Sequence, residues 1–187
     1  MAELLHNPNV MSKAKKELEE IIGIGNPIEE SDITRLPYLQ AVIKETLRLH
    51  PIAPLLLPRK AKTDVELNGY TIPKDAQIFV NVWAIGRDPE VWDNPNLFSP
   101  ERFLGTKLDI KGQNFQLTPF GSGRRICPGL PLAMRMLHMM LGSLLISFDW
   151  NLENDMKPEE IDMEDAIQGL ALRKCESLRV IPTKISN

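Results

Sequence analysis

The sequence predicts a mainly α-helical fold with small β-sheets, an α+β arrangement. Three observations lead there. Apolar residues recur at helical spacing in three separate stretches. An Asn-Gly pair sits between two short β-prone runs. Residues 86–119 show little periodicity and are rich in Pro, Asp, Asn and Gly.

The elements follow in order. Asn7-Pro8 reads as an N-cap with proline at the first helical position. Met11, Ala14, Leu18 and Ile22 then mark one helical face, and Gly23 ends the run. Residues 25–34 read as a loop. A second helix spans Pro37 to about Leu49, stopped by Pro51 and Pro54. Val65–Leu67 and Tyr70–Ile72 flank Asn68-Gly69 as a hairpin, and residues 77–83 read as a third strand. A long irregular meander over 86–119 precedes an apolar helix over 130–148. Leu130, Met134, Leu137, Leu141, Leu144 and Phe148 trace its expected buried face. Short strands are expected near 169–173 and 178–181.

Composition narrows the function. A chain of 187 residues can form one domain with a sizeable core. A net charge of −3 offers little to a nucleic-acid backbone. Cys127 and Cys175 make neither a zinc pattern nor a disulfide framework, which fits a reduced, cytosol-facing chain. His6, His50 and His138 are scattered, and each reads as a surface or packed histidine rather than a ligand. Residues 1–20 lack the order of a signal peptide. The 130–148 stretch contains Arg135 and His138, so it reads as a buried helix rather than a membrane span, its methionines packing the core.

Cys127 is the most telling residue. It lies in Phe120-Gly121-Ser122-Gly123-Arg124-Arg125-Ile126-Cys127-Pro128-Gly129, which opens the long helix. Backbone N–H groups, a helix N-terminus and two arginines all favour an anionic sulfur there. A thiolate is a strong ligand for haem iron. A buried cysteine acting as a small hydrophobe is the plainer alternative.

This decapeptide resembles the haem-binding loop of the cytochrome P450 family, F-x-x-G-x-R-x-C-x-G. Phe120, Gly123, Arg125, Cys127 and Gly129 fill its fixed positions. The resemblance implies the C-terminal portion of the cytochrome P450 fold, with Cys127 as axial thiolate to the iron of haem b (iron protoporphyrin IX). Three more features match in order. Glu45-Thr46-Leu47-Arg48 is the E-x-x-R of the family; read alone it is a surface pair of little energetic value. Arg102, in Pro100-Glu101-Arg102-Phe103, is implied to join Glu45 and Arg48 in a buried triad that locks the meander. Arg59, in Leu57-Pro58-Arg59, is implied to contact a haem propionate, as is Arg125. A strand-edge surface charge is the alternative for Arg59.

Ala84-Ile85-Gly86-Arg87-Asp88-Pro89 with Trp92, and the run 109–115, resemble the plant microsomal type. Enzymes that hydroxylate terpenoids or other small secondary metabolites are the most similar. The resemblance also implies apolar walls around a substrate, from Ile52, Ala53, Leu55 and Leu56 on one side and Gly169 and Leu170 on the other. Ordinary core and turn packing is the alternative for each. Lys107, Lys111, Arg124, Arg125 and Arg135 cluster in sequence around the cysteine loop, where a flavoprotein NADPH reductase docks in the family. Glu101 and Asp109 leave an ordinary mixed-charge surface as the other reading.

Family members are much longer. By resemblance, residues 1–187 run from the end of the oxygen-binding helix through the E-x-x-R helix, meander, cysteine loop and thiolate-side helix to C-terminal strands. They form the C-terminal part of a single haem-binding domain. Met1 to Pro8 resembles the tail of the oxygen-side helix, so Met1 is expected to be internal to a longer parent. The N-terminal anchor, the proline hinge, the early Trp/Arg pair and an A-G-x-D-T-like proton-relay sequence find no match here. Helical faces meant for the rest of the domain are expected to be bare, leaving the chain alone soluble or aggregated. A full-length parent would sit on the cytosolic face of the endoplasmic reticulum.

Three readings remain. The first is the C-terminal part of a haem-thiolate monooxygenase. It inserts one oxygen atom from O2 into a small apolar substrate, with electrons from NADPH through the reductase. The second is a truncated product that at most binds haem. The third is a haem-thiolate isomerase or dehydratase of the same fold, which needs no reductase.

Overall fold

A computed structural model describes residues 1–185. Helix α1 (Ala2–His6) leads directly into α2 (Pro8–Ile21). Pro8 does open α2, but Asn7 does not cap it with its side chain. Its amide instead donates back to the Glu3 carbonyl (2.9 Å) and Glu3 Oε2 (3.1 Å), which fixes the bend between the helices. Val10, Ala14 and Leu18 form the buried stripe of α2, and Gly23 follows its end at φ +86°. The expected loop over 25–34 contains a 3-10 turn, Glu30–Arg35, held where Glu29 N–H donates to Asp32 Oδ2 (2.9 Å).

Helix α3 (Pro37–Leu49) has the predicted span. Its first N–H groups are satisfied by another helix. Glu17 of α2 accepts from Tyr38 N (2.7 Å) and Leu39 N (2.9 Å). Strands β1 (Arg59–Lys60), β2 (Val65–Leu67), β3 (Tyr70–Ile72) and β4 (Gln77–Ile78) follow. β2 and β3 pair across Asn68 and Gly69, both at positive φ as the two-residue turn requires. β4 pairs with β1 and stops after two residues. The rest of the expected third strand is overridden by Asn81, whose Oδ1 accepts from Ala84 N (3.0 Å) and starts the short helix α4 (Val82–Ile85).

The meander is irregular apart from a 3-10 turn at Pro100–Phe103. It leads through the cysteine loop to α5 (Leu130–Ser147). Phe148 is extended and begins β5 (Phe148–Leu152) rather than ending the helix. β6 (Asp165–Gln168) and β7 (Ala171–Lys174) form a hairpin, so Gly169 and Leu170 make its turn rather than a strand. β8 (Val180–Lys184) returns antiparallel to β5. Among the described residues, all four sheets are two-stranded.

The core lies where α2, α3 and α5 meet. Trp92, Phe98, Phe103, Ile110 and Leu117 of the meander close it. Within α5 the buried residues are Leu130, His138, Gly142, Leu145 and Ile146; of the face expected from periodicity, Met134 and Leu141 are partly buried against the core and Leu137 is exposed. The helix is apolar on all sides, so its period could not select a face. Close approach does. A Cβ on Gly142 would stand 2.3 Å from Ile28 Cδ1 and 3.4 Å from Leu39 Cδ2. Only 28% of α5 is buried, although its length and hydropathy of 1.4 would suit a membrane span. Met134 and Met139 pack on the core, whereas Met136 and Met140 are exposed.

Gly142→Ala is expected to be near neutral, because the gain in helix propensity offsets a shift of the Ile28 tip. Gly142→Val is expected to cost about 1–3 kcal/mol by overpacking, read as a lower urea midpoint at unchanged m-value.

Candidate functional site

The site is framed by one buried carboxylate. Spacing of three on α3 puts Glu45 and Arg48 on one face, and both are essentially inaccessible (0% and 1%). Arg48 Nε donates to Glu45 Oε2 (2.7 Å) and its Nη2 to Oε1 (2.8 Å). The structure brings Arg102 into the same cluster, its Nε donating to Oε1 (3.0 Å), and Ser99 N–H adds a third donor there (2.8 Å). The remaining guanidinium donors reach the meander backbone. Arg48 Nη1 bonds the carbonyls of Pro95 (2.7 Å) and Gly86, and Nη2 that of Leu97 (3.3 Å). Arg102 bonds the carbonyls of Asp93 (3.0 Å) and Leu97 (3.1 Å). The Trp92 ring lies 5.2 Å from the Arg48 guanidinium carbon and 5.9 Å from that of Arg102.

The meander in turn seats the cysteine loop. Lys44 of α3 donates to the Leu108 carbonyl (2.9 Å), and Ile110 is buried. At Gly112 (φ +77°) a Cβ would lie 3.0 Å from Gly121 O, Ser122 Cα and Ile126 Cδ1. The meander therefore presses on the loop as closely as backbone allows. Within the loop, Cys127 N–H donates to the Phe120 carbonyl (2.9 Å), and Leu130 N–H to the Cys127 carbonyl (3.3 Å). Cys127 is half-buried, and Gly129, the N-cap of α5, lies beside its sulfur: a Cβ there would be 3.7 Å from Sγ. The thiol thus stands at the positive end of an 18-residue helix. Phe120 packs against the core, while Gly123 is exposed.

Helix α5, which Cys127 precedes, borders two surfaces. One is a stripe of α5 in which Leu132 (65% exposed), Met136 (49%) and Met140 (57%) are bare. The other is a cavity of about 600 Å³ toward α3, lined by Lys44, Ile110, Ile126, Met134 and His138. Arg59 and Arg125 do not line that cavity. Arg59 lies exposed on β1 and Arg125 exposed in the loop, and among the described residues neither makes an ion pair. Lys111 and Arg135 do line it, but Lys111 pairs with Asp109 (3.1 Å) and Arg135 with Glu30 (2.8 Å). Lys107 and Arg124 are exposed. Inside the cavity wall, His138 Nδ1 bonds the Met134 carbonyl (2.6 Å) and burial lowers its pKa, so Nε2 keeps a buried lone pair without a partner.

The expected apolar walls are joined to each other. Leu172 N–H donates to the Ile52 carbonyl (2.7 Å), which ties β7 to the segment after α3. Ile52, Leu55, Gly169 and Leu170 are exposed; Ala53 and Leu56 are half-buried. Leu56 also meets the cysteine loop, its Cδ1 lying 3.6 Å from a Cβ built on Gly121. Sequence reasoning missed His50, which follows α3. Its ring links Glu3 Oε1 (Nε2, 2.7 Å) with Asp165 Oδ2 (Nδ1, 2.6 Å), partners too remote in sequence to leave a local signal. His6 is packed, its Nδ1 on the Pro158 carbonyl (2.8 Å).

The chain is similar to known proteins along nearly its whole length. The family model described as Cytochrome P450 matches residues 1–176. Cytochrome P450 76C2 of Arabidopsis thaliana is 59% identical over 98% of the chain and 36% of its own length. Drimenol monooxygenase of Persicaria hydropiper is 56% identical, and geraniol 8-hydroxylase of Catharanthus roseus 55%, each over 99% of the chain and 37% of the relative. The chain thus spans little more than a third of the curated relatives it matches. A solved zebra fish cytochrome P450 with progesterone superposes at TM-score 0.85 and 34% identity, over 98% of this chain and 40% of that one.

Glu45→Leu would strand two guanidinium groups, and is expected to cost about 3–5 kcal/mol. Arg102 lies at the partly exposed edge of the cluster. Arg102→Ala is expected to cost well under half as much, with both read from urea unfolding.

Proposed function

The chain belongs to the cytochrome P450 family, and on that premise we propose that it is the C-terminal part of one haem-binding domain of a haem-thiolate monooxygenase. The observation that carries the reading is the setting of Cys127. A half-buried sulfur stands at the N-terminus of a helix that carries a bare apolar stripe, and among the described residues Arg125 of the same loop and Arg59 of β1 form no ion pair. Such a set fits haem b, a flat apolar ring with a metal that takes a soft anionic ligand and two carboxylates that need cations.

In this reading Cys127 would supply the thiolate that holds the haem iron. Phe120, Gly123 and Gly129 shape the loop that presents it, and Arg59 and Arg125 neutralise the two propionates. Glu45, Arg48 and Arg102 hold the meander, which fixes the loop from below. Bound there, haem b would supply the chemistry that activates O2 for transfer of one oxygen atom to a substrate. Ile52, Ala53, Leu55, Leu56, Gly169 and Leu170 exclude water and orient an apolar molecule by shape. The names of the geraniol and drimenol relatives support a small substrate, terpenoid in class. Electrons come from NADPH through a flavoprotein reductase on the thiolate side. Lys107, Arg124 and Arg125 are its expected contacts, since Lys111 and Arg135 already have carboxylate partners. The full-length parent acts on the cytosolic face of the endoplasmic reticulum.

The test is spectroscopic. The chain is loaded with hemin, reduced and exposed to carbon monoxide. A strongly red-shifted Soret band is expected for the parent chain and for Cys175→Ser, and its loss for Cys127→Ser. An imidazole-type band, or the same band in Cys127→Ser, overturns the assignment.

A further inference from the structure

The β6–β7 hairpin carries the turn Gly169-Leu170, yet it is a sheet of only two strands. Among the described residues, hydrogen bonds attach it to the body at two places. One is Leu172 N–H to the Ile52 carbonyl, and the other is Asp165 to His50. His50 grips a carboxylate with each ring nitrogen, Asp165 Oδ2 at 2.6 Å and Glu3 Oε1 at 2.7 Å. Carboxylates accept hydrogen bonds and do not donate them. A neutral imidazole owns one N–H, so only the imidazolium can satisfy both contacts.

The surroundings agree. Glu3 faces the ring from α1, Asp165 from β6, and Arg87, just past α4, is coupled by charge to both carboxylates. Arg87 stacks 4.3 Å from the Trp83 ring centroid and forms no bond to either acid, so it does not replace His50. Glu3 has a second partner in Asn7, whereas Asp165 has no other side-chain hydrogen bond among the described residues.

We propose that His50 is a positioning residue for the apolar wall: its imidazolium clamps the β6–β7 hairpin to α1 and α3, and loss of one proton opens the clamp. The functional meaning rests on Gly169 and Leu170 facing substrate; the clamp itself does not. Burial alone would lower the pKa of His50, but its bonds to Glu3 and Asp165 and their charges outweigh this and raise it. The sign follows. The clamp is complete below the ordinary imidazole range and is lost as pH rises through the raised value.

The experiment measures amide exchange over residues 165–174 in the full chain between mildly acidic and alkaline pH, corrected for the intrinsic rate. The His50 ring is followed in parallel by NMR. Protection in the hairpin is expected to fall about tenfold as His50 loses its proton. His50→Gln, whose two N–H donors share one nitrogen and carry no charge, is expected to show the low value at every pH. Asp165→Asn keeps His50 intact and is expected to abolish the pH response. A flat profile while His50 titrates, or an unchanged profile in both variants, overturns the clamp. Affinity for an apolar ligand, measured on the haem-loaded chain over the same range, separates the two claims. If protection responds and affinity does not, the clamp stands and the substrate-wall reading fails.

Discussion

Everything that positions the cysteine loop depends on the ionised carboxylate of Glu45, buried without water contact. A charge so placed is tolerated only when its acceptor sites are filled. Arg48, Arg102 and Ser99 N–H fill them. The cluster holds more positive than negative charge, and the excess is spread over the carbonyls of Gly86, Asp93, Pro95 and Leu97. Those carbonyls belong to a segment with no ladder of its own. The ion cluster therefore does for the meander what hydrogen-bonded strands do elsewhere, giving irregular backbone one fixed course.

From that course the rest follows by contact. Gly112 lets the meander touch the cysteine loop, and the start of α5 stands beside the sulfur at Gly129. Helix α5 is held on one side by the close approach at Gly142 and is bare on the other. A single helix thus joins the hydrophobic core to an open apolar face, with the thiol just before its first turn.

The sequence announced some of this better than the rest. Motifs whose members lie close together were legible: Glu45 with Arg48, Asn68 with Gly69, and the decapeptide around Cys127. Each encodes a local geometry that tertiary context does not alter. The bounds of α3 were legible because prolines set both ends. The buried face of α5 was not, since an all-apolar helix has no preferred side until Ile28 and Leu39 meet Gly142. The strand expected through 83 gave way to α4 because one Asn81 side chain outweighed the β propensity of its neighbours. β5 and the bridge at His50 rest on partners far along the chain, and no window of sequence contains both halves of either contact.

The separation of Arg102 from Glu45 also has a meaning in time. Helix α3 can form from neighbouring residues, but the meander is fixed only when a loop of 57 residues closes. Chain entropy opposes that closure by roughly 3–4 kcal/mol beyond a constant term. Closing loops of this length slows folding. The seat of Cys127 is complete only once that loop has closed, and until then the thiol belongs to a chain still searching for its shape.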